Sequence, residues 1–280
     1  MTVLVDAPAL AAELSGPVPP VLLDVRWVLG DPHGRRHHAA AHVPGAVYVD
    51  LHTELAGEPS AAAGRHPLPD ATRLQAAARR WGVRRGSRVV AYDDTGGLAA
   101  ARAWWLLRWA GHADVRLLDG GLRAWREAGL PLEAGDVVPA PGDVVLTAGA
   151  LPTIDAAAVA SLAADPRAGT VLDARAAERY RGETEPIDPR AGHVPGAVSA
   201  PTAANLGPDG TFLPADVLRA RFAGLGVRPG ARVAVYCGSG VTAAHEIAAL
   251  ALAGVDAELY AGSWSQWSSD PARPVATTAG

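Results

Sequence analysis

Short apolar runs alternate along this chain with longer segments of helical period, and glycine, proline or aspartate stands at nearly every junction. Val21-Leu-Leu-Asp24-Val-Arg26 has the pattern of a buried strand, and a polar loop, Gly30 to His38, follows it. His42-Val-Pro-Gly-Ala-Val47 reads as a turn entering another short strand. Ala71 to Trp81 has helical spacing. Arg88-Val-Val-Ala-Tyr92 is a strand that runs into Asp93-Asp94-Thr95-Gly96-Gly97. Leu98 to Ala110 predicts an apolar helix whose Trp104, Trp105 and Trp109 are core or interdomain packing side chains, with Gly111 as its stop. Val115-Arg-Leu-Leu118 is a strand, and Asp119-Gly-Gly-Leu-Arg-Ala-Trp125 opens a last helix.

The second half repeats this plan. Val171-Leu-Asp173-Ala-Arg175 answers Leu22 to Arg26, and His193-Val-Pro-Gly-Ala-Val198 repeats His42 to Val47 letter for letter. Gly226 to Gly230 answers Gly82 to Gly86, Arg232 to Tyr236 answers Arg88 to Tyr92, and Ala257 to Trp267 answers Val115 to Trp125. The shared order predicts a tandem duplication, with a period too long for a solenoid. Alternating strands and helices predict an α/β fold: two domains, each a parallel sheet flanked by helices with right-handed crossovers. The expected boundaries are a first domain over 1–132, a Pro/Gly/Ala-rich linker over 133–150 and a second domain over 151–280. The small, polar stretch from Ser268 to Gly280 reads as a loosely held tail.

Composition narrows the function. A length of 280 residues suits two ordinary domains, and the net charge of −4 offers no basic face for nucleic acid. All 25 positive residues are arginine. No apolar run is long enough to span a membrane, and Met1 to Leu14 carries Asp6 and Glu13 instead of the basic start of a signal peptide. A single cysteine allows no intrachain disulfide and fits a reducing cytoplasm, the expected location. The run Arg35-Arg-His-His38 with His42 has no cysteine or acid at ligand spacing, so it reads as an exposed loop and not a metal site; no metal or other cofactor is expected.

The chemistry concentrates in Arg232-Val-Ala-Val-Tyr236-Cys237-Gly238-Ser239-Gly240-Val241-Thr242, which leads into the helical Ala243 to Leu252. A strand, a tight loop and a helix start in that order point backbone N–H groups at one spot, and the sole cysteine stands there. Thiolate is the reactive form of cysteine, so the stretch predicts nucleophilic sulfur chemistry. A phosphatase loop would need arginine six residues after the cysteine; Ala243 stands there.

Leu-Asp-x-Arg, the duplicated His-Val-Pro-Gly-Ala, the Cys237–Thr242 loop and Gly262-Ser-Trp-x-x-Trp267 together resemble the tandem-rhodanese sulfurtransferases over essentially the whole chain. Cys-Gly-Ser-Gly-Val-Thr resembles the 3-mercaptopyruvate sulfurtransferase branch; the thiosulfate branch typically has arginine and lysine after the cysteine. The resemblance implies a non-catalytic first domain and a second domain whose Cys237 takes sulfane sulfur from 3-mercaptopyruvate as a persulfide. A thiol, cyanide or a reduced redoxin such as thioredoxin then accepts it. Thiosulfate as donor is the alternative, and a sulfur carrier without catalysis is a third reading.

The candidate catalytic residues are Cys237 as nucleophile, the loop N–H groups of Gly238, Ser239, Gly240, Val241 and Thr242, and the Ser239 hydroxyl, which either polarises the donor or caps the helix. The resemblance implies a substrate-binding arginine at Arg179. Arg190 is the candidate second clamp arginine, although the family's spacing is about nine residues and here it is eleven, which leaves Arg181 as a competitor. Gly64-Arg65-His66-Pro-Leu-Pro69 resembles a loop whose histidine approaches the active site in this family, so His66 is a candidate substrate-site residue; the other reading is a turn histidine with no special role. The acid pair that usually accompanies it is incomplete at Asp50-Leu51-His52. Asp93 stands at the cysteine's place in the first half and cannot carry sulfur, so that half is expected to be structural. Asp24-x-Arg26 and Asp173-x-Arg175 occur in both halves and are expected to brace the fold.

Overall fold

The computed structural model describes residues 2–277. They form two compact units. The first draws on Met1–Gly57, Pro69–Leu151 and Leu206–Phe212; the second draws on Glu58–Leu68, Pro152–Asn205 and Leu213–Gly280. Each unit thus contains a short segment from the other half of the sequence.

The first unit runs β1 (Leu4–Val5), α1 (Ala7–Leu14), β2 (Val21–Asp24), α2 (Gly34–Ala40), β3 (Val47–Tyr48), α3 (Leu51–Glu54), α4 (Ala71–Arg80), β4 (Val89–Tyr92), α5 (Ala100–Trp109), β5 (Val115–Leu118) and α6 (Gly121–Glu127). Its strands are parallel in the order β1-β5-β4-β2-β3. The central strands are covered on both faces, which is why they appear in the sequence as unbroken apolar runs. Asp6 and Asp70 cap α1 and α4 by accepting N–H groups of the first turn. Trp104, Trp105 and Trp109 lie in the core on α5.

The polar stretch before His42 departs from expectation. Gly34–Ala40 is a helix, and His38 and His42 are fully buried with their rings stacked 4.0 Å apart. The reason is Asp24, a buried carboxylate at the end of β2 that needs donors. Arg26 supplies one at 2.7 Å, Tyr92 another at 3.1 Å, and His38 Nδ1 lies 2.9 Å away. The Pro/Gly/Ala-rich stretch over 133–150 has no helix but lies along the first unit. Glu133 exchanges two backbone hydrogen bonds with His42, Thr147 donates to Ala110, and Val144 and Leu146 are buried.

The second unit runs α7 (Ala156–Ala164), β6 (Gly169–Asp173), α8 (Ala177–Arg181), β7 (Val198–Ser199), a 3₁₀ turn (Thr202–Asn205), α9 (Ala215–Gly224), β8 (Arg232–Tyr236), α10 (Thr242–Leu252), β9 (Glu258–Leu259) and α11 (Ser263–Ser269). Its parallel sheet has the order β7-β6-β8-β9. The duplication persists at atomic detail. Tyr236 accepts the Val194 N–H at 3.1 Å, as Tyr92 accepts that of Val43 at 3.0 Å. Arg175 pairs with buried Asp173 at 2.6 Å, as Arg26 does with Asp24. These pairs brace both folds. The expected loose tail is instead held as far as Ala276. Ala276 exchanges two backbone hydrogen bonds with His193, and Val275 packs on the core. Thr278 to Gly280 lie outside the described residues.

Candidate active site

Strand β8 carries buried Val233 to Tyr236 through the second sheet, and at its carboxyl end the chain turns through Cys237–Val241 into α10. Cys237 is 1% exposed. Gly240 has φ +79°, and a Cβ there would stand 2.5 Å from the Ala261 carbonyl oxygen, so only glycine makes this turn. The turn aims the Gly240 N–H at the Cys237 sulfur, 3.1 Å away.

The backbone around the sulfur is held from α11. The Cys237 N–H donates to Ser263 Oγ at 3.1 Å, its carbonyl accepts the Trp264 N–H at 2.9 Å, and the Gly238 carbonyl accepts that of Ser265 at 2.9 Å. Ser263 has φ +51°, a left-handed conformation uncommon for a residue with a Cβ. Its hydroxyl also donates to the Tyr260 carbonyl. Gly262-Ser-Trp marks the repeat in the sequence, but nothing in it reveals this support for the cysteine.

Ser239 is nearly buried, with its hydroxyl 2.8 Å from His66 Nδ1. His66 comes from the segment Glu58–Leu68, which belongs to the second unit. In the first unit, His52 accepts the Trp27 indole N–H at 2.9 Å. Val241 is buried at the turn, and Thr242 opens α10.

Of the arginines, Arg179 is brought to the loop and Arg190 is not. A Cβ on Gly238 would lie 3.4 Å from Arg179 Nη1. Arg179 Nη2 is bound to Glu185 at 2.6 Å and to Asp188 at 3.4 Å. The Arg190 guanidinium donates to the carbonyls of Ser268, Arg273, Trp267 and Asp270 at 2.5 to 2.9 Å, so its nitrogens are spent holding the chain end. Arg181 pairs with exposed Glu183. In place of a second downstream arginine stands Arg65, whose Nη2 is 3.2 Å from the same Cβ position and which is paired with Asp188. Arg65 appears in the sequence beside His66, but a chain with so many arginines gives no reason to single it out. Burial pushes the Asp188 carboxyl above its usual range and the Glu185 charge adds to this, while Arg65 and Arg179 oppose it.

The first unit shows what this kind of loop favours. The Asp93 carboxylate is fully buried after β4. One oxygen accepts N–H groups from Thr95 and Gly97, each at 2.8 Å, and the other accepts those of Ala99 and Ala100 at 2.8 and 2.9 Å. A strand-to-helix loop of this design gathers backbone N–H donors about one acceptor, here the chain's own side chain. Among the described residues, no group of histidine, cysteine, aspartate and glutamate side chains could hold a metal ion, and no helix is long and apolar enough to cross a membrane.

The rhodanese-like domain family matches residues 7–128 and 155–270. The chain is 48% identical over 273 residues to a Mycobacterium tuberculosis protein provisionally named thiosulfate sulfurtransferase SseB, covering 98% of this chain and 96% of that protein. It is 50% identical over 279 residues to a Pseudomonas aeruginosa protein provisionally named 3-mercaptopyruvate sulfurtransferase, covering 98% of each. The crystal structure of the 3-mercaptopyruvate sulfurtransferase SseA from Escherichia coli superposes with a TM-score of 0.83 at 32% identity, over 94% of this chain and 99% of that one. The chain belongs to the rhodanese-like family, with two copies of the domain. It is a sulfurtransferase.

Proposed function

We propose that the protein moves sulfane sulfur from 3-mercaptopyruvate to a thiol, cyanide or a reduced redoxin such as thioredoxin, through a persulfide on Cys237. The carrying observation is the Gly240 N–H aimed at the Cys237 sulfur, in a loop whose counterpart gives four N–H groups to the Asp93 carboxylate. A backbone N–H donor at that place is positioned to stabilise negative charge that develops on the sulfur during the transfer steps.

In the first half-reaction the Cys237 thiolate attacks the donor sulfur. The S–S bond forms, the carbon–sulfur bond breaks, and its electron pair passes to the carbon as the enolate of pyruvate. The enolate takes a proton, and Cys237 keeps the sulfur. The Ser239 hydroxyl, paired with His66, donates toward the developing oxyanion. In the second half-reaction the acceptor thiolate attacks the outer sulfur and leaves as a persulfide, restoring the Cys237 thiolate. The cycle is ping-pong.

Neutral Gly238 and Ser239 after the nucleophile support a carboxylate donor. Thiosulfate is the second reading, favoured by the name of the Mycobacterium tuberculosis relative. Steady-state rates with each donor separate them. The proposal expects pyruvate release from 3-mercaptopyruvate to exceed sulfite release from thiosulfate in kcat/KM. The reverse order assigns thiosulfate, and neither product above a Cys237→Ser control ends both readings. Ser239→Ala should lower kcat about 100-fold. Adding His66→Asn to Ser239→Ala should cost little more, because paired groups are lost together. Fully additive losses in that double-mutant cycle would separate the two residues' roles.

A further inference from the structure

We propose that Arg65 is the second cation of the donor's carboxylate clamp and sets its specificity, with Asp188 as the residue that positions it. The proposal rests on the mercaptopyruvate reading above.

Two guanidinium groups converge on the space above Gly238, one residue from the nucleophile. A Cβ there would be 3.2 Å from Arg65 Nη2 and 3.4 Å from Arg179 Nη1. Each group is anchored by a different nitrogen. Arg65 Nη1 is paired with Asp188, and Arg179 Nη2 with Glu185 and Asp188. The anchoring leaves Arg65 Nη2 and Arg179 Nη1 directed at the same point. The acids are the buried partners, at 3% and 4% side-chain exposure, and the arginines are the more open ones, at 30% for Arg65 and 17% for Arg179. A layer of buried carboxylates beneath more exposed guanidinium groups presents its positive side outward. Arg179 Nε is also buried without a hydrogen-bond partner.

Arg65 is delivered by a rigid mount. Gly64 before it has φ +89°, and a Cβ there would fall 2.6 Å from the Gly262 carbonyl oxygen. The Arg65 N–H donates to Ser265 Oγ at 3.1 Å, and Gln266 donates to the Ala62 carbonyl at 2.5 Å. The next residue, His66, holds Ser239. One segment thus places a cation and a histidine on the two residues that follow Cys237. Two planar guanidinium groups about one point suit a planar carboxylate with two acceptor oxygens, such as that of a 2-oxo acid. A side chain at 238 would meet both guanidinium groups, which would have to give way.

The test compares 3-mercaptopyruvate with mercaptoacetone, which keeps the thiol and the ketone and lacks the carboxylate. The readout is the ratio of kcat/KM for the two donors in wild type, Arg65→Ala, Arg65→Lys and Asp188→Asn. Arg65→Ala should lower the ratio about 10- to 100-fold, mainly through KM for 3-mercaptopyruvate. Arg65→Lys should restore it only in part, because an ammonium lacks the planar fork. Asp188→Asn should lower the ratio in the same direction by a smaller factor. A purely structural role for either residue depresses both donors together, so an unchanged ratio in Arg65→Ala overturns the proposal. Wild-type protein that makes no pyruvate from 3-mercaptopyruvate overturns the donor reading, and the proposal with it.

Discussion

Replacing Cys237 with serine should lower kcat/KM by roughly four orders of magnitude or more while leaving the fold in place. The chain has one thiol, so no neighbouring sulfur can take over. A serine hydroxyl at this site is neither ionised nor nucleophilic toward sulfur. The substitution is nearly isosteric, and its oxygen can still accept the Gly240 N–H now aimed at the sulfur. Stability should therefore shift by less than about 1 kcal/mol. Activity assays and thermal unfolding on the same preparation separate the two effects. Residual sulfur transfer in Cys237→Ser near the wild-type rate would place the chemistry elsewhere.

The second large effect should be on stability, at the residue of the first unit that stands where the second carries its cysteine. Asp93→Ala removes a buried carboxylate that satisfies four backbone N–H groups at the start of α5. The expected loss is about 3 to 5 kcal/mol, since the donors are left buried and unpaired. That is a large fraction of the stability of an ordinary domain. The effect should also depend on pH in a defined direction. Burial raises the Asp93 carboxyl above its ordinary value, with the four N–H donors opposing. The native state then binds this proton more tightly than the unfolded chain. Asp93 contributes most below the ordinary carboxylate value of about 4, and its contribution declines as pH rises toward the raised value. The stability gap between wild type and Asp93→Ala should narrow across that window, as followed by denaturant unfolding at a series of pH values. A gap that widens with pH would mean that the N–H donors outweigh burial.

Much of this architecture is legible in the sequence, for physical reasons. Parallel strands covered on both faces must be apolar throughout, so β2, β4, β6 and β8 announce themselves. The duplication fixes their correspondence, and the sole cysteine at the end of β8 marks the site. What escapes is set by contacts between residues distant in sequence. Helix α2 has no apolar period because its role is to bring His38 to a buried carboxylate 14 residues earlier. The tail looks polar and loose, yet it pairs with His193 and receives the Arg190 guanidinium on its carbonyls, and backbone acceptors leave no trace in residue identity. The partnership of Arg65 and Asp188 spans 123 residues. Ser263 supports the cysteine from a left-handed conformation that its residue type does not advertise.

A persulfide on Cys237 is detectable by mass spectrometry of the protein after treatment with 3-mercaptopyruvate in the absence of acceptor. The spectrum should show one added sulfur atom, located on the peptide that contains Cys237, in step with one equivalent of pyruvate, and its loss when a thiol is added. Pyruvate release with Cys237 unmodified would contradict it.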